Sequence, residues 1–205
     1  MTQHAPLFIV LLPVSAALLC MLFSRIQKNL GSWIVIASIV GAFLSAVSSL
    51  QQVIADGGKA LHYWMGNWQP PLGIEFVIDP ISGALAVLIT FIALLGSLYS
   101  LPFVKEEGWL HIGGYYTLYG LMTVGMCGMV ITGDVFNLYV FLEVMSLSGY
   151  GLIAIGGKKS MLAAFRYLLI GTIGASLYLL GVGYMYALTG TLNMADMAVR
   201  AAEFL

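Results

Sequence analysis

The sequence has few charged residues. Asp, Glu, Lys and Arg make up only 8% of its 205 residues, whereas 60% are hydrophobic. A water-soluble domain carries roughly 25% charged residues, so this composition excludes an ordinary soluble core. The formal net charge is −1 and no run of basic residues occurs. The chain therefore lacks the basic surface that a nucleic-acid partner requires.

Residues that commonly bind metals or redox groups are also scarce. Cys20 and Cys127 lie in separate apolar runs without CxxC spacing, as expected for buried thiols. His4, His62 and His111 are isolated near predicted loops and lack the spacing of metal ligands. We therefore expect no cofactor, no metal and no catalytic or redox site in this chain. Whether it serves an enzyme complex stays open.

Long uncharged runs are what the sequence does have. Each is long enough for a helix of about 20 residues to cross about 30 Å of hydrocarbon. The sequence predicts an all-α polytopic membrane protein, a single bundle of about six transmembrane helices. We place these helices at approximately residues 5–24, 31–54, 80–102, 113–133, 134–156 and 161–189.

Basic residues predict the orientation. The first helix is not preceded by the basic residues of a secretory signal, so we expect it to be retained. One side of the predicted topology carries two basic residues, Lys59 and Arg200, and the other side carries five. Loops on the cytoplasmic side are enriched in basic residues. The more basic side would thus be cytoplasmic, in the cell inner (plasma) membrane, with both termini outside. That side carries Arg25, Lys28, Lys105, Lys158 and Lys159.

Two segments are not apolar enough to span. Residues 55–79 predict an external hairpin-like loop, in which Trp64 and Trp68 suit the headgroup level. The Asp79-Pro80 step predicts the start of the third helix. Residues 193–205 predict an amphipathic tail on the membrane surface.

Glu143 is the only charged residue in the apolar run 135–157. A charged side chain at the bilayer centre costs about 2.5–3.5 kcal/mol on translocon scales, so protonation, a partner or internal water must compensate. Tyr139, Ser146 and Tyr150 recur on its helix face and can order water or hydrogen-bond the carboxyl. This pattern favours a proton relay; the alternative is that Glu143 only holds helices together.

Two further charged residues have open roles. Arg166 lies in the cytoplasmic half of the sixth helix, where it can extend to the interface or face inward and bias the charge state of Glu143. Asp134 can be the N-cap of the fifth helix or an access point for cations at the outer surface.

The sequence also resembles a known family. Residues 133–143 (GDVFNLYVFLE), continued by residues 148–153 (SGYGLI), resemble the fifth helix of the antiporter-like subunits. These are the D-type subunits of Mrp cation/proton antiporters and the related membrane subunits of membrane-bound hydrogenases and respiratory complex I. Residues 76–82 (FVIDPIS) and 188–196 (LTGTLNMAD) resemble the start of the third helix and the connection after the sixth. Within the family, these residues are more similar to the Mrp type.

The resemblance implies the N-terminal part of the antiporter-like fold, with Glu143 as the helix-five glutamate of a proton half-channel. Family members have about fourteen helices, including inverted repeats, and place a lysine partner on helix seven. Six helices do not include that lysine. The resemblance therefore implies either a split gene whose other product supplies the later helices, or a shortened subunit.

Three functions remain open at this point. The leading hypothesis is a membrane subunit of a multisubunit proton/cation-translocating complex of the Mrp type. The second is a membrane-arm subunit of a redox-driven complex, such as a hydrogenase or complex I. The third is a structural subunit that has no pumping role. In each case we expect other membrane subunits as partners, including a chain that supplies the later helices.

Overall fold

The computed structural model describes residues 4–27, 29–104 and 109–202. Six long helices are each apolar enough to cross a membrane, which confirms the predicted all-α polytopic membrane fold. Lys28, Lys105 and the end of the tail, 203–205, lie outside the described residues. The helices are α1 (Ala5–Ile26), α2 (Leu30–Ala55), α3 (Pro80–Val104), α4 (Trp109–Ile131), α5 (Val135–Ala154), α6 (Lys158–Thr189) and the short α7 (Met194–Ala202).

Helix α3 begins at a reciprocal cap. The backbone N–H of Ser82 donates to Asp79 Oδ1 at 2.6 Å, and the Asp79 N–H donates to Ser82 Oγ at 2.8 Å. Pro80 occupies the first helical position, where its missing N–H costs nothing. The hydrogen bond from the Ser82 backbone holds the pKa of Asp79 below its usual value, so this cap is ionised at neutral pH.

A β-hairpin fills the connection between α2 and α3. Its antiparallel strands are β1 (Leu61–Trp64) and β2 (Glu75–Ile78), with Leu61 opposite Ile78. Phe76 and Ile78 of β2 are buried against the helices. Phe76 also pairs with Thr132 between α4 and α5. We call the end of the bundle that carries this hairpin the hairpin end.

The core lies among α1, α2, α3 and α4. One cluster of buried side chains, including Ile9 and Phe76, lies toward the hairpin end, and a second, including Ile39 and Tyr116, lies toward the opposite end. Glycines bring α4 and α5 close together: a side chain on Gly128 would collide with the ring of Phe141. Such close backbone approach is how membrane helices gain packing contacts.

Helix α6 lies at the edge of the bundle. Only 11% of its most apolar stretch is buried, against 44% for α4. One stripe of α6, which includes Ala164, Ala175 and Val182, is buried. The opposite stripe, which we call the open face of α6, is 56% to 72% exposed and consists of Ile170, Ile173, Leu177, Leu180, Tyr184 and Leu188.

Helix α7 is short and amphipathic. Met197 is buried, and Val199 is exposed. Arg200 pairs with Asp196 at 3.0 Å and donates to the backbone carbonyl of Thr189 at 3.1 Å. These contacts fold α7 back against the end of α6.

We expect Gly128→Leu to destabilise the protein by about 1–3 kcal/mol, because the added side chain overpacks the α4–α5 contact. Gly114→Ala in the same helix is the matched control, since a Cβ there meets nothing within 4 Å. Thermal unfolding of the purified protein in detergent measures both. Equal unfolding temperatures for wild type and Gly128→Leu would contradict this packing.

Candidate functional site

Glu143 lies within α5, away from both of its ends. At a rise of 1.5 Å per residue, its Cα is about 12 Å from the Val135 end of a helix about 30 Å long. Its side chain is half-buried. If α5 spans the bilayer, the carboxyl is therefore close to the middle of the hydrocarbon.

Two contacts with α6 bracket Glu143. Tyr150 packs its ring against Gly171, which leaves no room for a side chain there, and Tyr178 Oη donates to the Val135 carbonyl at 3.0 Å. Because α5 and α6 run antiparallel, Glu143 lies between these two levels. It shares its helix face with Tyr150, seven residues on, so it lies beside the α5–α6 seam.

The Glu143 carboxyl has no protein partner within the described part of the chain. None of the hydrogen bonds or ion pairs in that part involves Glu143. Between Gly171 and Tyr178 on α6, the hydroxyls of Thr172 and Ser176 donate to carbonyls of their own helix, both at 2.8 Å. Val140 and Leu147, one turn to either side on α5, are 39% and 55% exposed. Glu143 therefore borders the side of α5 that the described residues leave uncovered.

The predicted supporting residues lie along the same face. Tyr139 contacts the ring of Phe136, and Tyr150 is buried with its ring edge-to-face to Tyr167 at 4.7 Å. Ser146 lines a cleft of about 320 Å³ between α4, α5 and α6. The described contacts include no hydrogen bond from these three residues to Glu143, so the face would act on the carboxyl through water or through rearrangement.

Arg166 is exposed on α6 and is not brought next to Glu143. It lies four residues before Ile170, so it continues the open face of α6. The α5-facing stripe, which includes Ala164 and Ala175, is on the other side of the helix. Within the described residues, Arg166 thus faces away from α5.

Asp134 caps α5. Its Oδ1 accepts the backbone N–H of Asn137 at 2.7 Å, and the Asn137 amide donates to Thr132 Oγ1 at 3.0 Å. Asp134 is 9% exposed. The negative charge lies at the positive end of the helix dipole, where it is favourable.

Sequence reasoning missed a polar cluster at the hairpin end, centred on Glu75. Glu75 is 5% exposed. Its Oε1 accepts the side-chain amide of Asn193 at 2.6 Å, and its Oε2 lies 3.2 Å from His62 Nδ1. The backbone carbonyl of Glu75 accepts the Gly133 N–H at 3.0 Å. The one local signal was an acidic residue beginning an otherwise apolar strand.

No three His, Cys, Asp or Glu side chains within residues 4–27, 29–104 and 109–202 form a group suited to a metal ion. The ionisable groups described above include the carboxyls of Glu143, Asp134 and Glu75.

Known proteins are similar in sequence to this chain over most of its length. The family model described as NADH:quinone oxidoreductase/Mrp antiporter, TM, matches residues 132–204. The chain is 44% identical over 199 residues to the N subunit of the NADH-quinone oxidoreductase of Desulforudis audaxviator, covering 97% of this chain and 40% of that protein. It is 33% identical over 195 residues to the D-type subunit of the Na(+)/H(+) antiporter of Bacillus subtilis, covering 95% and 38%.

Two solved structures share the fold. The membrane-bound sulfane sulfur reductase, an archaeal respiratory membrane complex, matches with a TM-score of 0.88 and 32% identity, over 96% of this chain and 40% of that one. The Mrp complex from Dietzia sp. DQ12-45-1b matches with a TM-score of 0.79 and 25% identity, over 98% and 39%. The chain thus spans about two fifths of the length of these relatives. It is a multi-pass membrane protein that belongs to the family of antiporter-like membrane subunits.

Proposed function

We propose that this chain is a membrane subunit of a multisubunit proton/cation-translocating complex and contributes part of a proton path through Glu143. One observation carries the proposal: a half-buried carboxyl near the middle of a spanning helix has no partner among the described residues. Ionisable side chains inside membranes usually mark ion pathways.

The cost of the charge explains why this position suits proton transfer. An ionised carboxylate at mid-membrane costs about 2.5–3.5 kcal/mol on translocon scales, and a neutral carboxyl avoids most of that cost. In the proposed path, water or charged groups on the covering helices offset this cost when Glu143 gives up its proton. Each switch between the two forms takes up or releases one proton.

We propose that further helices cover the uncovered side of α5 and the open face of α6. The relatives are longer than this chain, which spans 40% of one and 38% of another. Gly174 and Gly181 are exposed at one edge of the open face of α6. Neither has an atom within 4 Å of an added Cβ, so another helix can approach closely there. These helices can come from the same or a neighbouring polypeptide, and the family resemblance implies that they carry a lysine partner for Glu143.

The proposed setting is the cell inner membrane, with both termini outside. Arg25, Lys158 and Lys159 lie at the ends of α1 and α6 opposite the hairpin end, and basic residues favour the cytoplasmic side. The hairpin end would then face outward, and α7 would lie along the outer surface.

A second candidate is a membrane-arm subunit of a redox-driven complex. The 44% identity to a quinone oxidoreductase subunit exceeds the 33% identity to a Na(+)/H(+) antiporter subunit. The match to an archaeal respiratory complex also favours it. In this candidate a partner supplies the redox chemistry, and Glu143 has the same role. The genes beside this one discriminate the two: iron–sulfur subunits favour the redox candidate, and small antiporter subunits alone favour the Mrp type.

We expect Glu143→Gln to reduce proton-coupled transport roughly tenfold or more, because a positioned proton-transfer group contributes about 10²–10⁴-fold. Transport is measured in membrane vesicles that contain the whole complex, per amount of assembled complex. Glu143→Asp, which keeps the carboxyl, should retain part of the activity. Normal transport by an assembled Glu143→Gln complex would overturn the proposal and favour a structural role for the chain.

Arg166→Gln should leave transport within about twofold of the wild type, because its side chain lies on the open face of α6 and away from Glu143. The pH dependence of transport should also be unchanged. A shifted pH profile in this variant would show that Arg166 reaches the proton path through the covering helices.

Asp134→Asn removes the negative charge at this position but keeps a side-chain oxygen that can cap α5. Asn and Asp are about equally good N-caps, so assembly should match the wild type. The free energy of unfolding should fall only by the lost interaction of the charge with the helix dipole, about 0.3–1 kcal/mol. If Asp134 draws cations to the hairpin end, as we propose, the cation concentration for half-maximal transport should rise roughly two- to fivefold at low salt. An unchanged value would leave Asp134 with the capping role alone.

A further inference from the structure

Glu75 is a buried acid that the proton path through Glu143 does not use. It begins strand β2, and its side chain is 6% exposed. Its two carboxyl oxygens contact different parts of the chain: Oε1 accepts the Asn193 amide at 2.6 Å, and Oε2 lies 3.2 Å from His62 on the neighbouring strand. A buried carboxylate with such partners holds a fixed geometry, because every displacement breaks a strong hydrogen bond.

The partners of Glu75 include the two segments that flank α5 and α6. Its backbone carbonyl accepts the N–H of Gly133, which lies between α4 and α5. Its side chain binds Asn193, which lies between α6 and α7. The hairpin, the start of α5 and the connection after α6 thus meet at one side chain.

The two flanking segments are also bonded to each other. The Val135 N–H donates to the Leu192 carbonyl at 3.0 Å, and the Met194 N–H donates to the Gly133 carbonyl at 2.9 Å. Asp134 and Asn193 form an antiparallel bridge. The first turn of α5 is therefore fixed to the segment that Glu75 holds through Asn193.

Within the described residues, the other charged groups at the hairpin end do not bond the carboxyl of Glu75. His4 bonds Tyr63 Oη at 3.0 Å, and three acids belong to the two helix caps and the ion pair of α7: Asp79, Asp134 and Asp196. Asp56 and Lys59, which lie between α2 and β1, are exposed. Within the described residues, the carboxyl of Glu75 bonds only His62 and Asn193.

We propose that Glu75 is a positioning residue for proton transfer at Glu143, acting through Asn193 and the first turn of α5. An α-helix transmits a shift or rotation of its first turn along its length, and Glu143 lies about 12 Å from that turn. Loss of the Glu75 anchor therefore moves the Glu143 carboxyl relative to the helices that we propose to cover it. The inference rests on the proposed role of Glu143.

The test uses five variants of the whole complex in membrane vesicles. Glu75→Ala should reduce transport per assembled complex roughly tenfold, because misplacement of a reacting group by about 1 Å can cost up to 10²-fold. The pH profile of transport should shift as well. Asn193→Asp alone should be impaired, because it sets two carboxylates against each other.

The double variant Glu75→Gln with Asn193→Asp reverses the donor and acceptor of the bond. It should recover transport to within about twofold of the wild type, which loss of a merely structural contact does not predict. Asp56→Asn, which removes one exposed negative charge at the same end, is the control and should transport normally. Amide hydrogen exchange at residues 132–138 should be faster in Glu75→Ala and return in the double variant.

Wild-type transport and an unchanged pH profile in assembled Glu75→Ala would overturn the inference. If Glu75→Ala does not assemble, Asn193→Asp and the double variant decide: failure of the double variant to recover transport has the same consequence. Glu143→Gln in the same preparations separates the two proposals. Normal transport by Glu143→Gln overturns the proposed function, whereas an inactive Glu143→Gln beside a fully active Glu75→Ala overturns the positioning role alone.

Discussion

The bilayer interior offers no water to satisfy polar groups, and this constraint explains most of what the helices show. Several serine and threonine side chains within the spans bond to carbonyls of their own helix one turn back, as Ser45 does to Gly41 and Thr90 to Ala86. Such bonds let a serine or threonine reside in hydrocarbon at little cost. A carboxylate has no equivalent local solution, because it can only accept hydrogen bonds. Glu143 therefore depends on something beyond its own helix.

The same constraint divides the bundle into two parts. Helices α1 to α4 surround two clusters of buried side chains and satisfy one another. Helices α5 and α6 are attached to this core through α4 and, at the hairpin end, through Glu75. The sides that they turn away from the core are apolar but uncovered. Glu143, the residue proposed to transfer protons, belongs to the second part. Packing is thus concentrated where no chemistry is proposed, and the reactive residue lies where another surface can meet it.

Much of the fold could be read from the sequence, because each apolar run ends at a charge and has the length of one span. Glu143 could be read for the same reason, since it interrupts such a run. The direction of Arg166 could not be read, because either side of α6 is apolar enough to face lipid or protein. Glu75 was not predictable either, since its partner Asn193 lies 118 residues away. The cap at Asp134, by contrast, joins residues three positions apart and follows from local sequence alone.

The 118-residue separation between Glu75 and Asn193 also has a consequence for biogenesis. As the chain emerges from the ribosome, the hairpin is complete long before Asn193 is synthesised, so the Glu75 carboxyl must stay hydrated through the insertion of α3, α4, α5 and α6. Only when α6 has crossed the membrane does Asn193 reach the hairpin end and allow Glu75 to be buried. Closure of this cluster therefore comes late, because the bond between Glu75 and Asn193 can form only after the sixth span has been inserted.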